Sequence, residues 1–468
     1  MAAPVYSYID LVTAKQQLAN RLYDSSQQFW SSAELGVYVR EALRTFNALT
    51  GYWRGDFLFS SQIGVPWYDM TNLAQMPNTL RPYTLLDTNL YTDIQYALLE
   101  PATGVNPWTG VSSQFSANDL INAVQRRRDE LISNSGCTMT RRLVPAVNGR
   151  IVLPDTVIDI RRMAYLPAQG PPSVVWADDT WSEQSFNRNY TLAPPGTPSV
   201  YLLSAQPPIS FDVDCPPGAA GQYELITVEA GPALVAGTPQ TLSVPDDWVH
   251  LIKWGALADL LSRDTNARDD QRAAYCEARY RMGLKALEDA PALLAMRIGN
   301  VPLEVDSVRS ADLYNTSWEG QTPALPTAAL HMGLNLIALA PMPDKGLSVY
   351  GAGAYGAGAY SSSVPYSLMA TVVENAPVPI LNGDPIQVGR DDLDVIIDYA
   401  QHLALFKTGG AEFARTMPLL KRFLTQASIY GLKLSELGEF TQPLYGLGAR
   451  EAQQNPIKAP EPVGADLG

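Results

Sequence analysis

Apolar residues recur with a helical period through the first ~55 residues of the chain, and again near Ser116 after a tyrosine- and proline-containing region. Such spacing gives one apolar face per helix and predicts a packed helical region. In "WSSAEL" we expect Ser31 to cap the backbone amide of Glu34, with the Glu34 side chain reaching back to form a capping box. Gly51 is expected to end this helix, and a later helix is predicted from Ser116 to Gly136.

The period of the pattern changes after residue 136. Short runs of β-branched and aromatic residues follow, separated by proline- and glycine-rich pieces such as "APPGTP" and "CPPGAAG". The pair Asn148-Gly149 favours positive backbone dihedrals and predicts a tight hairpin between two of these runs. The segment is therefore expected to be β-rich and sandwich-like.

Two stretches have a similar pattern of polar and apolar residues: "VPDDWVHLIKWGALADLL" from Val244 and "VGRDDLDVIIDYAQHLAL" from Val388. We expect Asp246 or Asp247 to cap the first helix. Each helix is followed by a breaker, "SRDTNARDD" or "KTGG", and by a second helix, the last of which Pro418 is predicted to kink. The result is a helical hairpin that follows a β layer twice, and this recurrence raises the hypothesis of a degenerate internal duplication.

These patterns predict an α+β fold with an N-terminal helical bundle, β-sandwich-like layers and two helical hairpins. The predicted segments are an N-terminal helical region with long loops at 1–136, a β-rich domain at 137–243, a helical hairpin at 244–295, a second β-rich region with a glycine-rich loop at 296–388, a second helical hairpin at 389–436 and an extended C-terminal tail at 437–468.

Two segments have a composition unsuited to a core of their own. The tandem repeat "YGAGAYGAGAY" predicts a flexible loop or hairpin tip, either anchoring on a partner through its tyrosines or lying in solvent. The proline-rich tail "REAQQNPIKAPEPVGADLG" is predicted to be disordered or to lie on a neighbouring protein. The interface candidates in these segments are Tyr350, Tyr355, Tyr360, Pro456, Ile457 and Pro460.

Composition narrows the class of protein. Of the 468 residues, 46% are hydrophobic and 17% are charged, so the chain can bury a core for two or three domains. A net charge of −14 argues against broad wrapping of nucleic acid. We expect no secretory signal, because "MAAPVYSYIDLVTAK" lacks a basic start followed by an apolar run. We expect no membrane span, because the longest apolar stretch, "LNLIALAPMP", is far shorter than the roughly 20 residues that cross a bilayer.

Arginines gather between residues 126 and 162 despite the negative total charge. Arg126, Arg127 and Arg128 are consecutive on a predicted helix, so they point in different directions and at least one should lie at an interface or in water. The functional interpretation is contact with an acidic partner or with passing nucleic acid. The alternative, which we favour, is a solvated face balanced by acids of the same chain.

The sequence carries no recognisable catalytic or cofactor motif. Its three histidines lack metal-ligand spacing, and no nucleophile elbow, P-loop or dinucleotide fingerprint occurs. The cysteines Cys137, Cys215 and Cys276 are far apart and are predicted to be free thiols. We therefore expect neither an enzyme nor a metal or cofactor site.

Two acidic stretches have compositions that a calcium-binding or a sugar-binding site could use. "DTNARDDQRAAY" departs from a calcium loop at several ligand positions and is predicted to be an inter-helix turn with capping aspartates. In "WADDTWSEQ", the carboxylates Asp178, Asp179 and Glu183 between two tryptophans could serve sugar binding or glycan cleavage. The alternative is an ordinary turn, which such clusters commonly form.

The stretches "FWSSAELGVYVREALRTFNALTGYWRGDF" and "PDDWVHLIKWGALADLLSRDTNARDDQRAAYCEARYRMGL" resemble structural proteins of tailed bacteriophages, in particular neck or head-to-tail adaptor (connector) proteins. The resemblance covers about a third of the chain and consists of helix-packing patterns. The chain is long for that family, with an additional β and helix unit.

The resemblance implies a virion structural protein, made in the host cytoplasm, that forms a ring in the phage neck and lets DNA pass. The implied partners are further copies of the chain in a dodecameric ring, the portal protein, and tail or nozzle proteins with fibres as a further option. DNA would pass without sequence-specific binding. The alternatives are another tail or baseplate protein, such as a fibre-attachment or tail-tube ring protein, and a carbohydrate-binding or glycan-cleaving tail protein.

Overall fold

The computed structural model describes residues 8–71, 83–99, 115–186, 190–204, 208–264, 266, 268–290, 293–316, 318–345 and 365–430. The α-helices are α1 Leu11–Arg21, α2 Ser32–Thr50, α3 Asp87–Ala97, α4 Ala117–Ser135, α5 Thr180–Phe186, α6 Val249–Leu261, α7 Asp270–Glu288, α8 Val308–Tyr314, α9 Arg390–Leu405, α10 Gly410–Ala414 and α11 Met417–Tyr430. The strands are β1 Arg54–Ser60, β2 Trp67–Asp69, β3 Met139–Pro145, β4 Ile151–Val152, β5 Val157–Pro167, β6 Ser173–Asp178, β7 Val200–Ser204, β8 Ser210–Val213, β9 Gly221–Glu229, β10 Ala295–Ile298, β11 Val301–Ser307, β12 Ala328–Met332, β13 Leu336–Ala340 and β14 Ser367–Val373. The predicted α+β class is confirmed.

The predicted capping of the early helices is confirmed in most respects. At the start of α2, the Ser31 side chain accepts a hydrogen bond from the Glu34 amide at 3.3 Å. The other bond of the predicted capping box, in which the Glu34 side chain reaches back to the N-cap, is wrong. The Glu34 carboxylate instead accepts hydrogen bonds from Tyr38 and Lys407. Gly51 ends the helix in the left-handed conformation that glycine adopts without strain.

Helix α4 has both bonds of a capping box. Ser116 and Asp119 exchange hydrogen bonds of 3.0 and 3.2 Å between their side chains and backbone amides. Gly136 ends the helix with φ +56°. Both ends of α4 are therefore specified by local sequence, as predicted.

Helix α6 forms the centre of the helical layer. Nearly all of its residues are buried, and it packs against α3, α4 and α7. Close packing on α7 depends on Gly283, where a Cβ atom would lie only 2.0 Å from Leu251 Cδ2. The predicted cap of α6 is wrong. A 3₁₀ turn, Asp246–Trp248, precedes the helix, and the side chains of Asp246 and Asp247 bind other parts of the chain.

The remaining helices extend this layer. Helix α9 packs against α2 and α11, so both predicted helical hairpins are present as packed helix pairs. Asp269 caps α7 by accepting from the Arg272 amide, as expected for that turn. The predicted kink at Pro418 is wrong, because the chain is already interrupted between α10 and α11. Pro418 lies in the first turn of α11, where no intrahelical partner for its nitrogen is needed.

Sheet A has the order β1-β14-β10-β11-β12-β13-β2. Its strands β1 and β2 come from the N-terminal part of the chain, while the other five come from residues 295–373. The β1 strand pairs with β14 in antiparallel register from Arg54–Val373 to Ser60–Ser367. The helices and sheet A share one hydrophobic core.

Sheet B has the order β3-β9-β5-β6-β7-β8-β4 and encloses a smaller core of its own. The predicted hairpin at Asn148-Gly149 is wrong. Gly149 has the expected positive φ of +93°, but β3 pairs with β9 and β4 with β8, at opposite ends of the sheet order. A connection as short as that from Pro145 to Ile151 spans at most about 20 Å. Sheet B must therefore curl so that its two end strands approach each other.

A group of charges, buried except for the partly exposed Arg141, joins the two sheets. We call it the inter-sheet charge cluster; it consists of Arg141, Arg162, Glu224, Asp312 and Glu319. Arg162 of β5 forms a bidentate pair with Asp312 of α8, with N–O distances of 2.7 and 3.0 Å. The Arg162 guanidinium also donates to Glu224 and Glu319 at 3.1 Å. Because α8 directly follows β11, these bonds attach sheet B to sheet A.

Candidate assembly site

A cavity of about 920 Å³ lies between the helices on one side of the core. Its walls come from α1, α2, α3, α6 and the loop at residues 375–382. We call it the cationic cavity, because four of its lining side chains are basic: Lys15, Arg40, Arg44 and Lys253. The same cavity is also lined by three acids, Glu41, Asp93 and Asp246.

Lys15 and Arg40 are neighbours in this cavity. The Lys15 ammonium, on a residue only 5% exposed, donates to Ser32 Oγ at 2.8 Å and to Asn382 Oδ1 at 2.7 Å. Burial, and then the charge of Arg40, lower the pKa of Lys15. Both partners of Lys15 are neutral, so they do not balance its charge.

Gly36 makes room for the two cations. A Cβ atom at this position would lie 3.3 Å from Arg40 Nη1 and 3.7 Å from Lys15 Cδ. Arg40 and Arg44 follow Gly36 at intervals of four residues, so all three positions lie on one face of α2. Neither arginine forms an ion pair with a carboxylate in the part of the chain that the structure describes.

The acidic groups of the cavity are only partly available to balance these cations. Glu41 pairs with Lys253, and one of its carboxylate oxygens, Oε1, has no hydrogen-bond partner among the described residues. Asp246 accepts from the Thr84 and Leu85 amides at 2.8 and 3.0 Å. Its carboxylate is therefore occupied with holding the chain before α3.

Asp93 is the remaining acid of the cavity. Burial raises the pKa of Asp93 to about 7, against the attraction of Lys253. A carboxyl group with this pKa is only partly ionised near neutral pH, so it balances the basic groups incompletely.

Asp247 lies just before α6, and His250, in the first turn of α6, lines the cavity. Asp247 accepts from Asn47 Nδ2 at 2.6 Å and from the Ala376 amide at 3.1 Å, joining α2 to the loop at 375–382. Burial raises the pKa of Asp247 to about 7. Burial, followed by the charges of Arg279 and Lys253, lowers the pKa of His250 to about 3, so His250 is neutral in the folded protein at neutral pH.

An apolar rim lies beside the cavity. Val12, Ile380 and Leu381 are exposed, at 47%, 78% and 68%. The Val12 amide donates to the Asn382 carbonyl at 3.0 Å, which brings α1 and this loop together. The rim and the cations therefore form one surface with both apolar and positively charged groups.

The three consecutive arginines, Arg126, Arg127 and Arg128, lie in three different environments. Arg127 is buried between Asp259, Glu277 and Glu130. The Arg128 side chain is fully buried and donates to the carbonyl of Pro232 at 2.7 Å. Arg127 and Arg128 therefore have their polar partners within the chain. Arg126 is 66% exposed and pairs with Asp259, so its predicted interface role stays a prediction.

The other predicted interface residues lie outside the described residues: Tyr350, Tyr355, Tyr360, Pro456, Ile457 and Pro460. The carboxylates Asp178, Asp179 and Glu183 lie at the end of β6 and in or beside α5. The Asp179 side chain accepts from the amides of Trp181 and Ser182, and Trp181 is 82% exposed. Asp179 therefore acts as a helix cap, in agreement with the turn interpretation of that stretch.

Sequence reasoning did not identify Lys15, Arg40 or Arg44. The four-residue spacing of Gly36, Arg40 and Arg44 on α2 is a signal that could have indicated a basic helix face. No spacing connects Lys15 to that face, because α1 and α2 meet only through tertiary packing.

Within the described ranges, no group of three or more histidine, cysteine, aspartate or glutamate side chains is placed to hold a metal ion. None of the helices in those ranges combines the length and apolarity required to span a membrane.

The comparisons with known proteins give one family. Residues 71–302 match the family model described as SU10 adaptor protein, which is close to half of the chain. No curated protein matches the chain. The matched region contains α3, α4, sheet B, α6 and α7, whereas Lys15, Arg40 and Arg44 precede it. This match supports identification of the chain as a phage adaptor protein.

Proposed function

We propose that this protein is a virion structural subunit that forms an oligomeric ring in the phage neck, joins the portal to the tail and lets DNA pass. The observation that carries the proposal is the match of residues 71–302 to the SU10 adaptor family. A phage adaptor is a structural component of the virion and associates with other capsid or tail components.

Physical features of the chain favour such a role. A net charge of −14 disfavours adhesion to passing DNA, since like charges repel. The inter-sheet charge cluster and the shared core make a rigid body, which a ring subunit needs to present fixed faces to its neighbours. In this proposal the tail from Ala449 onward and the loop around Tyr350 are contact elements, and the expected ring is dodecameric.

Mass photometry and negative-stain imaging of the purified chain, alone and with portal protein, test this role. We expect ring-shaped oligomers that bind the portal. A matched variant that lacks residues 442–468 should fold but assemble poorly onto portals. Rings that bind the tail tube and not the portal would instead favour a tail or baseplate protein. A chain that stays monomeric under all of these conditions would contradict the proposal.

A further inference from the structure

The four basic side chains of the cationic cavity share it with three lining acids, Glu41, Asp93 and Asp246. Arg44 is also attracted to Asp247, which lies behind the cavity lining. Lys253 is paired with Glu41, and Asp246 is used by the backbone before α3. Lys15, Arg40 and Arg44 then face Asp93 as the remaining acid among the lining residues. Lys15 is buried, whereas Arg40 and Arg44 are half-buried. Like charges that are withdrawn from water repel one another and are costly to desolvate unless a counter-charge is present.

The donors of the cavity suit an oxyanion. Two guanidinium groups on one face of α2 can each give paired N–H donors to a carboxylate or phosphate. The Lys15 ammonium is already held in place by Ser32 and Asn382, so little side-chain entropy is lost when a ligand binds.

We propose that the cationic cavity is a binding site for an oxyanion ligand with carboxylate or phosphate groups, held by Lys15, Arg40 and Arg44. A volume of about 920 Å³ is within the range of ligand pockets and exceeds what one small ion fills, so the ligand carries several anionic groups or a further apolar part. The same chemistry has two sources: a free polyanion, or glutamate and aspartate side chains of a neighbouring protein segment. The apolar rim at Val12, Ile380 and Leu381 would contact the apolar residues of such a segment.

Isothermal titration of the purified full-length chain with citrate, and separately with inorganic phosphate, tests the site at constant ionic strength set with chloride. We expect saturable binding at one site per chain. Arg40→Gln and Lys15→Met should each weaken it at least about tenfold, as expected for loss of a charged hydrogen-bond donor. Arg281→Gln is the matched control, because Arg281 is 74% exposed on α7 and does not line the cavity; its binding should equal that of the unmodified chain.

A second arm distinguishes the two sources. The probe is a synthetic peptide with the sequence LSELGEF, which occurs at residues 434–440 and combines two glutamates with apolar residues. Its matched control has glutamine at both glutamate positions. If LSELGEF displaces citrate and its glutamine control does not, the ligand is assigned to protein carboxylates. If citrate or phosphate binds and neither peptide displaces it, the ligand is assigned to a free polyanion. Both outcomes support the site.

Failure of all three probes to bind would overturn the proposal, as would binding that Arg40→Gln and Lys15→Met leave unchanged. Thermal denaturation of each variant first establishes that it is folded. Oxyanion binding is a property of the single chain, so the site can bind an anion even if the proposed ring does not form. The ring can likewise form even if the site binds no anion.

Discussion

The inter-sheet charge cluster and the cationic cavity both bury charged side chains, but they differ in how the charge is balanced. In the cluster, Arg162 contacts the carboxylates of Glu224, Asp312 and Glu319, and every one of these groups belongs to the chain itself. In the cavity, Lys15 has neutral partners, and Arg40 lies beside it.

The difference separates a structural role from a binding role. A buried charge with matched partners fixes geometry, and the removal of one member leaves the others uncompensated. A buried cation without a matched carboxylate costs free energy in the isolated chain and gains it when an anion arrives. Stability measurements on single variants can therefore tell the two regions apart.

The largest effect is expected for Arg162→Met. This change leaves three buried carboxylates without their central cation, and we expect the free energy of unfolding to fall by about 4 to 5 kcal/mol in chemical denaturation. Arg150→Met is the control, because Arg150 lies just before β4 and its side chain, which is 59% exposed, pairs with Asp212 of β8. Its loss should cost at most about 1 kcal/mol. Equal effects of the two changes would contradict the assigned role of the cluster.

Lys253→Met should have the next largest effect. It removes the partner of Glu41, a residue that is only 5% exposed. Because one oxygen of Glu41 already lacks a partner, an uncompensated buried carboxylate would remain, and we expect a loss of about 3 kcal/mol by the same measurement. The double variant with Glu41→Gln should recover part of this loss, and an unchanged loss in the double variant would argue against the pair.

Asp93→Asn should change the dependence of stability on pH. Burial raises the pKa of Asp93 from 3.8 to about 7, so the folded protein keeps a proton that the unfolded chain has released. The stability contributed by protonated Asp93 is fully present below about pH 4 and is lost as pH rises through about 7. We expect the unmodified chain to lose stability relative to Asp93→Asn over this interval, by at most about 1.4 kcal/mol per pH unit.

Denaturation curves of both proteins between pH 4 and 8 give this difference directly. The comparison is made as a difference because Asp247, which also has a pKa raised to about 7, and His250, with a pKa lowered to about 3, titrate identically in both proteins. Parallel stability curves would show that Asp93 does not bind the proton.

The smallest effect is expected for Lys15→Met in the absence of anions. Methionine keeps the apolar length of the side chain and removes a buried charge that only Ser32 and Asn382 contact. We expect the free energy of unfolding to change by less than about 1 kcal/mol in chloride buffer. A loss as large as that of Lys253→Met would show that Lys15 already has its counter-charge within the chain.

The local features of the fold can be predicted from the amino-acid sequence. Ser31, Ser116 and Asp269 cap helices, while Gly51 and Gly136 end them, because each cap depends on backbone groups within a few residues. The α+β class could likewise be predicted, since the change from helical to alternating periodicity is visible along the chain. The resemblance to phage adaptor proteins also came from sequence, and the family match supports it.

Contacts between groups that are distant in sequence depend on the packing of the whole fold. The turn at Gly149 was predicted, but not that it joins opposite ends of sheet B, because strand pairing depends on the whole sheet. Asp247 reads as a helix cap in sequence, yet it binds Asn47 and the Ala376 amide. The cationic cavity likewise depends on the packing of α1 beside α2. Electrostatic interactions act through space, so the environment of a charge is set by neighbours that sequence spacing does not record.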